Sequence, residues 1–272
     1  MSDWSDNYPE LAQAWDEWGM QPEPQVLQGK TILITGAGAG IGEALAKTCA
    51  LFGANVVLLG RTRRHLETVF DWIEANTNTQ PVIVPCDLAA LNDEAIDALH
   101  GAISSTYGGL HGLVHCASVL GQLTPTHMYP MDEWQQVFAV NVHAVQRLNQ
   151  GLYDLLDAQE KSCVIHVSSS VGREGRAYWG AYSASKFAVE GMSQTFADEN
   201  ESAGRLFVYS INPGATRTKM RRQAFPGEDP NSVPTPEARI DVFLYLLSCV
   251  LGGGKTLPPT GSQWDARAWQ PS

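Results

Sequence analysis

The chain has 272 residues, 44% of them hydrophobic, and a formal net charge of −11, which supplies material for one large core and the wrong sign for binding nucleic acid. Its five cysteines, at 49, 86, 116, 163 and 249, lack paired metal spacing and read as reduced thiols, so neither a disulfide framework nor a metal is expected. No apolar run approaches the ~20 residues that cross a bilayer, and the acidic start lacks a signal peptide's basic and apolar regions, so the expectation is a cytoplasmic protein with no membrane partner.

Residues 1–28 form an acidic, tryptophan-rich extension in which Leu11, Trp15 and Trp18 would share one face of a short helix after Pro9. That face docks on the body or on a neighbouring subunit, or else the segment is a frayed extension. A short buried strand over 30–35 then runs directly into Gly36-Ala37-Gly38-Ala39-Gly40-Ile41-Gly42, and a helix follows over 41–52 with Ile41, Leu45, Cys49 and Phe52 near one face. Strand, glycine turn and helix start let a backbone approach a pyrophosphate with free amides facing it. The glycines at 36, 40 and 42 fit G-x-x-x-G-x-G; position 41 is Ile, so the G-x-G-x-x-G fingerprint fails.

Further strands are predicted over 55–59, 82–85, 112–115, 163–168, 206–211 and 261–265, and helices over 64–76, 93–107, 131–156 and 182–202. The alternation predicts an α/β fold: a single-domain, Rossmann-type doubly wound parallel sheet of about seven strands flanked by helices, with 29–272 as one catalytic domain. Ligands bind at the carboxyl ends of such strands, and Thr35, His115, Ser169 and Pro213 all fall there. Between the second strand and its helix lies Gly60-Arg61-Thr62-Arg63-Arg64. A carboxylate there would hold the ribose 2′-hydroxyl of NAD, whereas Arg61 offers a charged planar fork to a 2′-phosphate, so NADP(H) is the expected cofactor. Arg63 and Arg64 serve equally well as solvated charges.

Tyr182-Ser183-Ala184-Ser185-Lys186 puts a phenol and an ammonium on one helix face. A cation held close lowers the phenol from its usual value near ~10 and makes it a proton donor; a solvated helical pair would look the same in isolation.

Together these motifs resemble the short-chain dehydrogenase/reductase family, with its T-G-x-x-x-G-x-G turn at 35–42 and its Y-x-x-x-K pair at 182–186, over roughly residues 28–265. Val164-Ile165-His166-Val167-Ser168-Ser169 supplies the family's serine as Ser169, Phe138-Ala139-Val140-Asn141-Val142 its asparagine, and Ile211-Asn212-Pro213-Gly214-Ala215-Thr216-Arg217-Thr218 its P-G loop. The run 168–192 looks most like the bacterial YciK-type oxidoreductases. The resemblance implies that Tyr182 protonates a carbonyl oxygen that Ser169 holds. Lys186 would lower the phenol and bond the nicotinamide ribose, and Asn141 would interrupt its helix and hold a water that passes protons to the lysine. A satisfied helical amide is the plainer role for Asn141. Ser168 and Ser170, alternate residues of an extended strand end, would point away from the site.

Cofactor contacts implied by the same resemblance are Thr35, Gly36, Gly38, Gly40, Ile41, Gly42, Asp87, Leu88, Cys116, Ala117, Pro213, Gly214, Thr216 and Thr218, besides Arg61, Tyr182 and Lys186. Asp87 would contact adenine or cap a helix. One departure stands out. Where the family has N-N-A-G or H-N-A-G, this chain has His115-Cys116-Ala117-Ser118, which predicts weaker cofactor binding or turnover; Cys116 reads as core filler rather than a catalytic thiol.

Residues 215–236 read as a substrate lid, and its basic cluster at 217–222 as a solvated face in preference to a carboxylate-binding one. The leading function is an NADP(H)-dependent reduction of a ketone or 3-oxoacyl group. An alcohol dehydrogenase working oxidatively and an NADPH-binding sensor are the alternatives. The resemblance also implies a homodimer or homotetramer built through the helices over 131–156 and 182–202. Trp264 packs into the core or a subunit contact.

Overall fold

The computed structural model describes residues 25–254 and 257–268. The expected helix of Leu11, Trp15 and Trp18 lies outside the described residues. Described from residue 25 onward, the tail of the extension already belongs to the body. Leu27 is fully buried against the core, and its amide donates to the Phe52 carbonyl at 3.0 Å.

Seven parallel strands form one sheet in the order β3-β2-β1-β4-β5-β6-β7. They are β1 (Thr31–Thr35), β2 (Asn55–Gly60), β3 (Val82–Pro85), β4 (Gly112–His115), β5 (Ser162–Val167), β6 (Leu206–Asn212) and β7 (Gln263–Asp265). The chain steps outward from β1 to β3 and returns to β4 beside β1. The switch point therefore falls between β1 and β4, where crevices open in such sheets.

Strand periodicity divides the core in two. On β1 and β2, Ile32, Ile34, Val56 and Leu58 face one apolar cluster, while Leu33, Val57 and Leu59 face the other. Both faces are covered, so these strands read as unbroken apolar runs. Covering the first face are α1 (Gly40–Leu51) and α2 (Arg63–Asn76), through Leu45, Cys49, Leu66 and Ile73; α3 (Asp93–Tyr107), through Ile96, Leu99 and Ile103, covers the second.

The single helix expected over 131–156 is broken into α4 (Met131–Phe138), a π-helical turn (Ala139–His143), α5 (Ala144–Gly151) and α6 (Tyr153–Asp157). The π turn carries Asn141, and tertiary bonds hold that side chain. Its Oδ1 accepts from the Val119 amide at 2.9 Å, and its Nδ2 donates to the Val119 carbonyl at 2.9 Å and to Ser185 Oγ at 3.0 Å.

After β5 come α7 (Gly180–Glu201), α8 (Lys219–Ala224) and α9 (Asp241–Leu251). Glu190 of α7 anchors the far edge of the sheet: it accepts from Arg173 Nε at 2.9 Å, Ser210 Oγ at 2.7 Å and Gln263 Nε2 at 2.8 Å. Trp264 packs beside Tyr245 of α9, with ring centroids 5.9 Å apart, against the first core cluster.

Candidate active site

The glycine turn between β1 and α1 is a tight cradle. Gly36 has φ +70°, and a Cβ at Gly42 would collide with the Gly36 carbonyl, so the loop closes under the helix start only with glycine there. Ala39, the residue before α1, caps none of its amides with a side chain, which leaves a helix start suited to an anion. Thr35 Oγ1 accepts from the Ala117 amide at 3.0 Å and ties this turn to the end of β4. The methyl of Thr218 lies 3.2 Å from where a Gly40 Cβ would sit, so the loop after β6 closes over the same turn. Arg61 is exposed at the end of β2 and makes no ion pair among the described residues, whereas Arg63 is paired with Glu67. Asp87 caps the 3-10 turn Leu88–Ala90, accepting from the Ala89 amide at 3.1 Å. This turn, these amides and this guanidinium fit a dinucleotide carrying an extra phosphate.

The proposed chemistry lies where β5 meets α7. Ser169 lies two residues beyond β5 and caps the short turn Ser170–Gly172. A Cβ at Gly172 would stand 2.7 Å from Lys186 Cβ and 2.9 Å from the Lys186 carbonyl carbon, so glycine lets the helix seat against the turn. Ser183 Oγ donates to the Val171 carbonyl at 2.6 Å, and Lys186 Nζ donates to the Val167 carbonyl at 2.8 Å. These contacts fix Tyr182 and Lys186 in the register of β5. Ser168 is buried and its hydroxyl has no partner, while Ser170 is exposed.

Burial pushes the Tyr182 phenol up to about 12, against hydrogen bonding from the Ser169 and Ser118 hydroxyls that pulls it down. The expectation that Lys186 lowers this phenol is corrected here. The ammonium lies over the ring, 5.6 Å from its centroid, and is occupied with a carbonyl rather than with the phenol oxygen. Burial lowers Lys186 itself to about 8, opposed by Cys116 and Glu190.

Ser118 is the site residue that sequence reasoning passed over, having read it only as a lost glycine. Its hydroxyl is buried and closes no hydrogen bond of ordinary geometry, yet it is near enough to Tyr182 to act on the phenol. The signal was present as a hydroxyl two residues past Cys116. Cys116 itself is a free thiol driven up to about 12 by burial, which makes it a neutral filler and a poor nucleophile.

Beneath the site His115 and His166 stack in parallel at 5.1 Å, joined through Asn149. His115 Nε2 lies 2.8 Å from Asn149 Oδ1, and Asn149 Nδ2 lies 3.1 Å from His166 Nε2, which assigns the donor to His115 and the acceptor to His166. Burial lowers His115 to about 4 and His166 well below its usual value.

Over the mouth, Met220 and Ala224 of α8 pack with Leu120, Val171 and Trp179 around Tyr182. The P-G loop is fastened from below: the Gly214 amide donates to Asn212 Oδ1 at 3.0 Å, and Asn212 Nδ2 to Asp265 Oδ2 at 2.9 Å. Pro213 is buried beside it, and Thr216 Oγ1 donates to the Gly214 carbonyl at 3.3 Å. Among the expected lid cations, Arg221 is bound to Glu228 and Arg217 donates to the Val233 carbonyl. No cluster of potential metal ligands occurs among the described residues, and no helix there is long and apolar enough to cross a membrane.

A nucleotide-type cradle and a tyrosine–lysine helix at one end of a parallel sheet define a dehydrogenase-like architecture. Residues 30–229 match the short chain dehydrogenase model, and the chain belongs to this family of oxidoreductases. It is similar to the oxidoreductase YciK of Escherichia coli K12, 42% identical over 91% of this chain and 95% of that one. Among solved structures, a short chain dehydrogenase of Shigella flexneri complexed with NADP is 41% identical with a TM-score of 0.84, over 90% of this chain and 100% of that one. A short chain dehydrogenase of Escherichia coli CFT073 complexed with NADPH matches with the same figures, 41%, 0.84, 90% and 100%.

Proposed function

We propose that the protein is an NADP(H)-dependent carbonyl reductase with Tyr182 as its proton donor. The observation that carries this reading is the convergence of the Tyr182, Ser169 and Ser118 hydroxyls beside Lys186, at the end of the sheet where the glycine turn lies. Arg61, free of any ion pair among the described residues, supports the 2′-phosphate, as do the relatives crystallised with NADP and NADPH. When bound, the cofactor supplies hydride to a carbonyl carbon. Reduction leaves negative charge on the carbonyl oxygen. Ser169 and Ser118 donate hydrogen bonds to it, and Tyr182 gives it a proton.

A phenol pushed up to about 12 stays protonated at neutral pH, and an alkoxide takes its proton readily. Lys186, lowered to about 8 by burial, keeps its charge at neutral pH, and in this reading its remaining donors bond the nicotinamide ribose. Five free cysteines suit a reducing cytoplasm. Consumption of NADPH and NADH against ketones, oxoacyl thioesters and quinones tests this directly. Tyr182→Phe should lower kcat by about 10²–10⁴-fold while NADPH still binds. Tight NADPH binding with no turnover on any of them would instead favour a sensor.

A further inference from the structure

Across the mouth of the crevice, three tilted aromatic rings and two guanidinium groups form one cluster. The Trp179 ring centroid lies 5.8 Å from that of Tyr182 and 6.0 Å from that of Phe225. Arg221 Cζ stands 3.7 Å from the Phe225 centroid. Arg176 Cζ stands 5.7 Å from that centroid and 5.9 Å from that of Trp179. Two cations thus share one ring, and only one has an anion. Arg221 donates a two-pronged bond to Glu228, at 2.6 Å for each contact, while Arg176 makes no ion pair among the described residues, not even with Glu174 two positions before it. The backbone keeps Arg176 in place. Its carbonyl accepts from the Trp179 amide at 3.2 Å, and the intervening Tyr178 holds φ +73°, a conformation rare for a bulky residue. The Tyr178 carbonyl is in turn held by the Thr124 amide at 3.1 Å.

We propose that Arg176 anchors a carboxylate on the substrate. This rests on the carbonyl-reductase reading and narrows its substrate class to apolar keto acids, with the ketone at Tyr182 and the acid group at the rim. Within this cluster Arg176 is the cation without an anion, and a guanidinium offers a carboxylate its planar fork. The wall between is apolar: Leu120, Val171, Trp179 and Met220 surround Tyr182. Steps of 5.8 Å from Tyr182 to Trp179 and 5.9 Å from Trp179 to Arg176 set the scale of the separation a substrate's ketone and acid group would have to span, that of an aryl ring or short acyl body.

The test titrates the NADP⁺-loaded protein with 4-acetylbenzoate and with its methyl ester, following binding by calorimetry. The acid should bind about tenfold or more tightly than the ester, and salt at about 0.5 M should weaken the acid alone. In Arg176→Met the preference should shrink to about twofold or less, with Arg176→Lys retaining part of it. Equal affinity in the unaltered protein, no binding of the acid, or a preference that survives Arg176→Met overturns the anchor. NADPH oxidation with the same two ketones is read separately. Discrimination in binding without turnover keeps the anchor and sinks the reductase; turnover without discrimination does the reverse.

Discussion

Ser118 and Ser169 differ in how they are held. Ser169 is committed to a turn, its Oγ accepting from the Val171 amide at 3.4 Å, while the Ser118 hydroxyl is buried with no ordinary partner. An orphaned buried hydroxyl destabilises a fold, so its presence at the proposed oxyanion position argues for use in turnover. Ser118→Ala should therefore lower kcat by about 10–100-fold yet leave thermal stability unchanged or slightly raised. A lower Tm with unaltered kcat would assign the residue to structure. The stacked histidines give a second residue-scale prediction. With His115 at about 4 and His166 well below its usual value, the unfolded chain binds more protons than the folded one below about pH 6.5. Stability is then fully present above that pH and falls on acidification, by about 1.4 kcal/mol per pH unit for each histidine. Urea unfolding between pH 7 and about 4.5 measures the slope. A flat profile would mean that the pair is charged or solvated. Residue identities in the site were legible because Tyr182, Lys186 and the glycines sit in fixed local spacings. The direction of the Tyr182 shift was not, since burial is a property of the assembled fold.

The element that governs the site is α7, and its seat on the turn after β5 is set by one glycine. A methyl at Gly172 would meet Lys186 Cβ at 2.7 Å and the Lys186 carbonyl carbon at 2.9 Å, and the second of these is backbone that cannot rotate away. Gly172→Ala should therefore shift the helix, lower stability by about 1–3 kcal/mol and reduce kcat far more than the affinity for NADPH. Unfolding curves and steady-state kinetics on the same sample separate the two effects; intact kcat would show that the helix tolerates the shift. Elements were legible to the extent that their cause was local. Strands β3 and β4 and helix α3 match their expected ranges because alternation and capping signals suffice there. The break in the helix over 131–156 was hidden, since the π turn follows from bonds between Asn141, Val119 and Ser185. Helix α9 escaped notice altogether. Asp241–Leu251 is apolar nearly all round, and a run buried on most sides has no polar face by which periodicity could mark it as helix.

At the scale of the molecule, a doubly wound parallel sheet followed from the β-α alternation, and with it the gathering of distant segments at the carboxyl ends of the strands. What covers the outer faces of α5 and α7 did not. Together with α6 they leave a groove lined by Gln146, Tyr153, Met192, Thr195 and Phe196, with Tyr153 37% exposed; Phe187 of α7 is 45% exposed. Half-buried aromatic and methionine side chains along this groove suit a second copy of the chain, whose own groove would meet this one about a twofold axis. Charge opposes that contact, because each copy carries −11. Association should therefore strengthen, not weaken, as salt screens the repulsion, the reverse of an interface held by ion pairs. Light scattering on the eluting protein should give twice or four times 29.6 kDa. Thr195→Arg, placing a charged side chain at an exposed position in the groove, should return a folded chain of unit mass whose circular dichroism is unchanged. A unit mass for the unaltered protein at both low and high salt would show that the groove has no such occupant.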